Sequence, residues 1–194
     1  MTRPEILAPA GTPEALEAAV RCGANAVYLG GQALNARRAA QGFDADALCR
    51  AGELCHMYGA KLYITLNTMT FDAELPQVYS LLRQSVRAGA DGLIVQDLGV
   101  ARAARNLCDI PLHASTQMSV QTGAGIDFLR RFGFVRAVVP RELTEEELLR
   151  IRRETTMELE MFIHGALCMS VSGQCLMSAV FGSRSGNRGL CAQP

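Results

Sequence analysis

The chain has 194 residues, 49% hydrophobic and 20% charged, and its 19 basic and 19 acidic side chains cancel to a net charge of zero. That balance excludes a disordered chain and any overall electrostatic pull toward nucleic acid or an anionic membrane, leaving only local patches for such contacts. No apolar run approaches the roughly 18 residues of a membrane span, and the opening MTRPEILAPAG lacks a signal-peptide core. The expectation is a cytoplasmic protein whose seven cysteines stay reduced.

A first strand is expected near residues 5–8. Thr12 then reads as a helix N-cap with Pro13 at the first helical position, and Leu16, Ala19 and Val20 share a face. Gly23 ends that helix, and the apolar run beyond it predicts a strand near 26–30. Asp44 caps a second helix with Leu48, Ala51, Gly52 and Cys55 inward, and Gly59 closes it before a strand near 61–66. Leu75, Val78, Leu82 and Val86 keep helical spacing up to Gly89, and strands near 92–96 and 111–115 follow. Gly133 precedes a strand near 135–139. Thr144 and Glu147 form a capping box before LLRIRRE, whose charges are read as its solvated side, and a last strand is expected near 158–163.

These runs are rich in Val, Ile, Leu and Tyr and lack alternation, as strands buried on both faces do. Seven strand–helix steps imply a parallel α/β sheet. LAPAGTP carries one glycine and no G-x-G-x-x-G, so a TIM-barrel-like (β/α)8 fold is preferred to a doubly wound sheet. Such barrels take about 250 residues. No eighth strand has a home before residue 194, so the expected barrel is truncated before it closes. Residues 1–165 would hold the βα repeats and 166–194 a cysteine-rich segment, incomplete at its C-terminus. Open sheet edges predict self-association, or loss of order after about residue 165.

Barrel active sites lie at the C-terminal ends of strands. That rule selects Asn35, Arg37 and Arg38 after the second strand, Asn67 after the third, and Gln96 and Asp97 after the fourth. It adds Thr116 and Gln117 after the fifth, Arg141 and Glu142 after the sixth, and His164 after the seventh. The alternative is that several of these polar groups only cap helices or satisfy loop backbone. His113, inside IPLHAST, reads equally as a core or a catalytic histidine. His164, beside the cysteine segment, is the candidate acid or base. Cys22, Cys49, Cys55 and Cys108 read as packing on apolar faces.

Cys168, Cys175 and Cys191 are spaced C-x6-C-x15-C, unlike a zinc knuckle or a bacterial ferredoxin run. Thiolates suit zinc or iron–sulfur clusters, which usually take four protein ligands, and three are visible. Arg184, Asn187 and Arg188 in GSRSGNRGLC read as a grip for carboxylate or phosphate, or as a solvated loop.

EILAPAGTPEALEAAVRCGANAVYLGG resembles the opening strand–helix–strand of the collagenase-like peptidase family U32. FIHGALCMSVSGQCLMS followed by RSGNRGLCAQP resembles its signature region, and the likeness runs over nearly the whole chain. The resemblance implies a barrel-like N-terminal domain followed by further sequence. It also implies a [4Fe–4S] cluster in preference to zinc, with Cys168, Cys175 and Cys191 as three ligands and the fourth expected beyond residue 194. It implies oxygen-independent hydroxylation of a wobble uridine of transfer RNA, a ribosomal RNA cytidine or a ubiquinone precursor, with prephenate as hydroxyl source in the RNA-modifying members. The partners expected are thus an RNA substrate and a small carboxylate donor, and no membrane. On this reading His164 handles protons, Arg184 and Arg188 with Arg37 and Arg38 bind carboxylate or phosphate, and Asn67, Asp97, Gln117 and Asn187 line the site. The alternatives are a peptidase, in which Cys168 pairs with His164 although no H-E-x-x-H or G-x-S-x-G is present, and a non-catalytic subunit with a structural cluster.

Overall fold

The computed structural model describes residues 3–36 and 42–193. Its strands are β1 (Leu7–Pro9), β2 (Ala26–Gly30), β3 (Lys61–Leu66), β4 (Gly92–Val95), β5 (Leu112–Ala114), β6 (Phe134–Val138) and β7 (Glu158–Glu160). They pair in parallel in sequence order, from Leu7 opposite Ala26 at one edge to Val138 opposite Glu160 at the other. Helices α1 (Pro13–Arg21), α2 (Ala45–Met57), α3 (Leu75–Arg87), α4 (Leu98–Leu107), α5 (Gly123–Phe132) and α6 (Glu145–Glu154) alternate with the strands, and α7 (Met177–Gly182) follows β7. The result is a curled, TIM-barrel-like half-barrel.

Local chemistry explains the helices. Thr12, Asp44 and Thr144 accept the expected backbone N–H bonds at the starts of α1, α2 and α6, and Thr144 with Glu147 completes the capping box. Gly23, Gly59, Gly89 and Gly133 all take positive φ beyond their helices. Two details depart from the sequence reading. The inward face of α3 is Val78, Leu81, Leu82 and Ser85, with Val86 exposed, because the stripe drifts with the 3.6-residue period. Cys22, the C-cap of α1, is exposed, whereas Cys55 is fully buried.

The two faces of the sheet differ. Val27, Leu29, Leu62, Ile64, Leu66, Leu93, Val95 and Leu112 face the helices and share one core with Leu16, Leu48, Val78, Val100, Ile126 and Ile151. The alternate positions point into the concave side, where Ala26, Tyr63 and Ile94 form a small separate cluster. Around them lies a charged floor at the strand starts. Arg136 donates to Glu5 at 2.7 Å, to Glu158 at 2.8 and 2.9 Å and to Glu160 at 3.3 Å. Lys61 and the Tyr63 hydroxyl also donate to Glu5, at 2.9 and 2.8 Å. Glu5 precedes β1 and Arg136 lies on β6, so these bonds span the open side of the half-barrel. His113 sits in this floor, edge-on to Tyr63 with ring centroids 4.6 Å apart. A Cβ at Gly92 would lie 2.8 Å from the His113 ring and 2.9 Å from the Tyr63 ring, so only glycine lets the two rings meet across β4. His113 is therefore a core residue at the end of the sheet away from the rim.

β7 ends at Glu160, and Met161, Phe162 and Ile163 leave the sheet exposed. The chain beyond residue 165 does not lose structure, contrary to that expectation: α7 and a 3-10 turn at Gly186–Arg188 form there, and the segment is bonded to the barrel rim. Among the described residues, no helix is long and apolar enough to cross a membrane.

Candidate functional site

The mouth formed by the C-terminal strand ends is polar and buried. Asn35, Thr65, Thr68, Gln96 and Ser115 are all less than a tenth exposed. Two residues expected to face a substrate organise loops here. Asn67 accepts the Ala36 N–H at 2.9 Å, holding the turn after β2. Asp97 caps α4 through Gly99 and Val100, at 2.7 and 3.1 Å, and its other oxygen accepts the Thr70 N–H at 3.3 Å. Gln117 donates its backbone N–H to the Ser115 hydroxyl, and its carbonyl accepts from the Gln96 amide at 3.4 Å. Arg37 and Arg38 lie outside the described residues.

Across this mouth the cysteine segment is strapped down at three places. After β6, Arg141 donates to the Cys168 carbonyl at 2.8 Å, to the Ser172 hydroxyl at 2.9 Å and to the Ser170 carbonyl, while Glu142 accepts the Ser172 N–H at 2.6 Å. Burial alone would raise the Glu142 pKa, but its backbone and Ser172 hydrogen bonds outweigh that and lower it. After β5, the Ser119 hydroxyl donates to the Ser172 carbonyl and accepts from the Gln174 amide. After β3, Glu74 grips Arg188 with both carboxylate oxygens; Arg188 also donates to the Met69 carbonyl and lies 4.6 Å over the Phe71 ring. Asn187 contributes its carbonyl, which accepts the Met69 N–H at 3.4 Å. Arg188 and Asn187 thus serve as tethers in this structure, while Arg184 is exposed. The strap depends on Gly173: its φ is +75°, and a Cβ there would lie 2.0 Å from the Gln117 carbonyl oxygen. Sequence reasoning placed Arg141 and Glu142 at a strand end but gave neither a role; their only signal was that position.

The sulfurs sit on this strap. Cys175 accepts from the Ser170 hydroxyl and the Met177 N–H, which lower its pKa. Cys191 accepts from the Gln193 N–H at 3.4 Å and the Ser178 hydroxyl at 3.9 Å. Both approach Gly186, where a Cβ would be 3.7 Å from the Cys191 Cβ and 4.0 Å from the Cys175 carbonyl oxygen. At Cys175 these donors favour the thiolate, the form that ligates metals and iron–sulfur clusters. Cys168 and His164 are exposed, and residues 161–169 contain no helix, so the i, i+4 spacing does not bring that pair onto one helical face. Among the described residues, no three His, Cys, Asp or Glu side chains converge as metal ligands, so Cys168 does not join the other two in this conformation.

The half-barrel is also that of a solved U32 peptidase, with a TM-score of 0.68 at 17% identity over 83% of this chain and 68% of the other. Phosphonopyruvate hydrolase shares the fold with a TM-score of 0.58 at 16% identity, over 82% of this chain and 66% of its own. In sequence the chain is 40% identical to the 23S rRNA 5-hydroxycytidine C2501 synthase of Escherichia coli, over 98% of this chain and 29% of that protein. It is 34% identical to the tRNA hydroxylation protein P1 of Bacillus subtilis, over 98% of this chain and 46% of that protein. It is also 34% identical to a collagenase of Porphyromonas gingivalis, over 97% of this chain and 48% of that protein. The chain thus spans less than half the length of each of these three relatives. The description Peptidase family U32 matches residues 11–194, which include both the rim and its strap, and the chain belongs to that family.

Proposed function

We propose that this chain forms the substrate-binding half-barrel of a cytoplasmic RNA-base hydroxylase, with the base held at the strand mouth under the cysteine strap. The observation that carries this reading is the strap itself: Arg141, Glu142, Ser119 and Glu74 hold the thiol-bearing segment over a buried polar mouth. Relatives named for rRNA 5-hydroxycytidine synthesis and tRNA hydroxylation support the reaction class.

Cys168, Cys175 and Cys191 are the proposed ligands of a [4Fe–4S] cluster. Cys175 and Cys191 suit the role, both bordering Gly186 and each accepting two hydrogen bonds at sulfur. Cys168 must close on them, and it lies where neither helix nor strand restrains it. A bound cluster supplies electron transfer, or a Lewis-acidic site for an oxygen-bearing small molecule. Arg184, exposed and outside the tethers, is the proposed grip for a carboxylate donor or for phosphate, and His164 the proposed proton carrier.

The test uses the full gene product, purified without oxygen, and RNA from cells carrying Cys175→Ala as their only copy. Iron, sulfide and visible absorbance should fall together with the hydroxylated pyrimidine measured by mass spectrometry. Iron-free wild-type protein that still hydroxylates would remove the cluster. Normal RNA in cells lacking the gene would remove the hydroxylase. A Cys175→Ala protein that unfolds outright would indicate a structural cluster.

A peptidase reading is favoured by the likeness to a collagenase. Its Cys168–His164 pair is not assembled by a helical turn here, and thiols committed to a metal are not free nucleophiles. Gelatin cleavage abolished by Cys168→Ala would favour it.

A further inference from the structure

We infer that Gln96 reads the substrate's base at the barrel mouth, its side-chain oxygen accepting a hydrogen bond from an N–H donor on the pairing edge of a pyrimidine; this deepens the RNA-base reading and rests on it. Two buried side-chain atoms among the described residues have no hydrogen-bond partner, Gln96 Oε1 and His113 Nδ1. His113 belongs to the charged floor, enclosed by Tyr63 and Gly92. Gln96 is different in place. It directly follows β4, on the concave alternation of Gly92 and Ile94, and is 8% exposed.

The amide has a defined orientation. Its Nε2 donates to the Gln117 carbonyl at 3.4 Å, and turning it over would set two carbonyl oxygens against each other. Oε1 is therefore presented as a pure acceptor. Among the described residues nothing around it supplies a donor: Oε1 has no partner, the Thr65 hydroxyl donates to the Leu29 carbonyl, and the Ser115 hydroxyl oxygen accepts the Gln117 N–H. The Gln117 carbonyl is also the atom against which Gly173 packs, so Gln96 lies under the strap, and Gly173 is two residues from Cys175. Access for a base then requires the strap to lift at Gly173.

A buried acceptor with no donor is costly, so a ligand that supplies the donor is selected strongly over one that does not. Phosphate and carboxylate groups are acceptors only and cannot satisfy it. The position thus discriminates a base edge from backbone phosphate and from a carboxylate group. A pyrimidine offers the required N–H as the exocyclic amine of cytosine or the imide of uracil.

The test is Gln96→Met, which keeps the shape and removes the acceptor together with the Nε2 donation to the Gln117 carbonyl, in the full gene product. Its thermal midpoint should stay nearly level, because loss of the unsatisfied oxygen offsets loss of the long 3.4 Å bond to the Gln117 carbonyl. Hydroxylated pyrimidine should fall by roughly tenfold or more. Ribosomal and transfer RNA are measured separately: loss of hydroxycytidine in the first identifies the amine as donor, and loss of hydroxyuridine in the second the imide. Unchanged modification at unchanged stability would overturn the inference. So would a lowered midpoint with modification falling only in proportion to folded protein, which marks the amide as structural. If wild-type protein modifies neither RNA, the underlying reading fails before Gln96 is in question.

Discussion

His113 and Glu5 show how one charged floor gives opposite residues the same pH signature. Burial, then the neighbouring Arg136 charge, pushes the His113 pKa down to about 4 against the partial opposition of Glu158 and Glu5, with Lys61 adding to the lowering. Burial would raise that of Glu5, but hydrogen bonds from Arg136, Lys61 and Tyr63 outweigh it and hold the carboxyl at about 2. Both folded values lie below the unfolded ones. The stability each contributes is therefore complete above its ordinary value, 6.5 for His113 and 4.5 for Glu5, and is lost as pH falls through the folded value. Glu160, raised by burial, acts in the opposite direction. The urea midpoint should thus begin to fall below pH 6.5, and His113→Phe should flatten the curve between pH 6.5 and 4.5. An unaltered slope in that variant would contradict this account. At this scale polarity was legible but purpose was not. Asn67, Asp97 and Arg188 stand where a substrate would be met, yet here they pin a turn, cap α4 and tether the strap, because a polar residue after an apolar run looks the same in each case.

Elements whose signals are local were readable from residues alone. Caps at Thr12, Asp44 and Thr144 and the glycines after four helices depend on neighbours within a few positions. The cysteine strap has no period of its own, and it is shaped by contacts over 27 to 119 residues of sequence, from Arg141 to Cys168 and from Met69 to Arg188. Its dependence on the rim can be measured. Arg141→Ala removes three hydrogen bonds, and Gly173→Ala sets a Cβ against the Gln117 carbonyl at positive φ. Both should make residues 166–176 open to limited proteolysis while the global midpoint moves by no more than about 1–2 kcal/mol, the range of a lost surface-loop interaction. Protection equal to wild type in both variants would show that the strap is held by something else.

The whole molecule leaves β1 and β7 as open edges among the described residues, and Ile163, Leu167, Met169, Val180 and Phe181 are at least three-quarters exposed. Residues 1–194 expressed alone should therefore self-associate, with light scattering giving a mass above the 20.9 kDa monomer. A monomer at all concentrations tested would refute this. The parallel order of seven strands followed from apolar runs and glycine punctuation, because such strands must be buried on both faces and joined by helices. Residue sequence alone thereby determined the fold class, the helix caps and the clustering of three thiols after the last strand. Tertiary structure decided the rest: the charged floor around Arg136, the rim residues spent on holding the strap, and the buried, unmatched oxygen of Gln96. These are meetings between side chains far apart along the chain, and local periodicity and propensity carry no information about which distant group a polar atom will find.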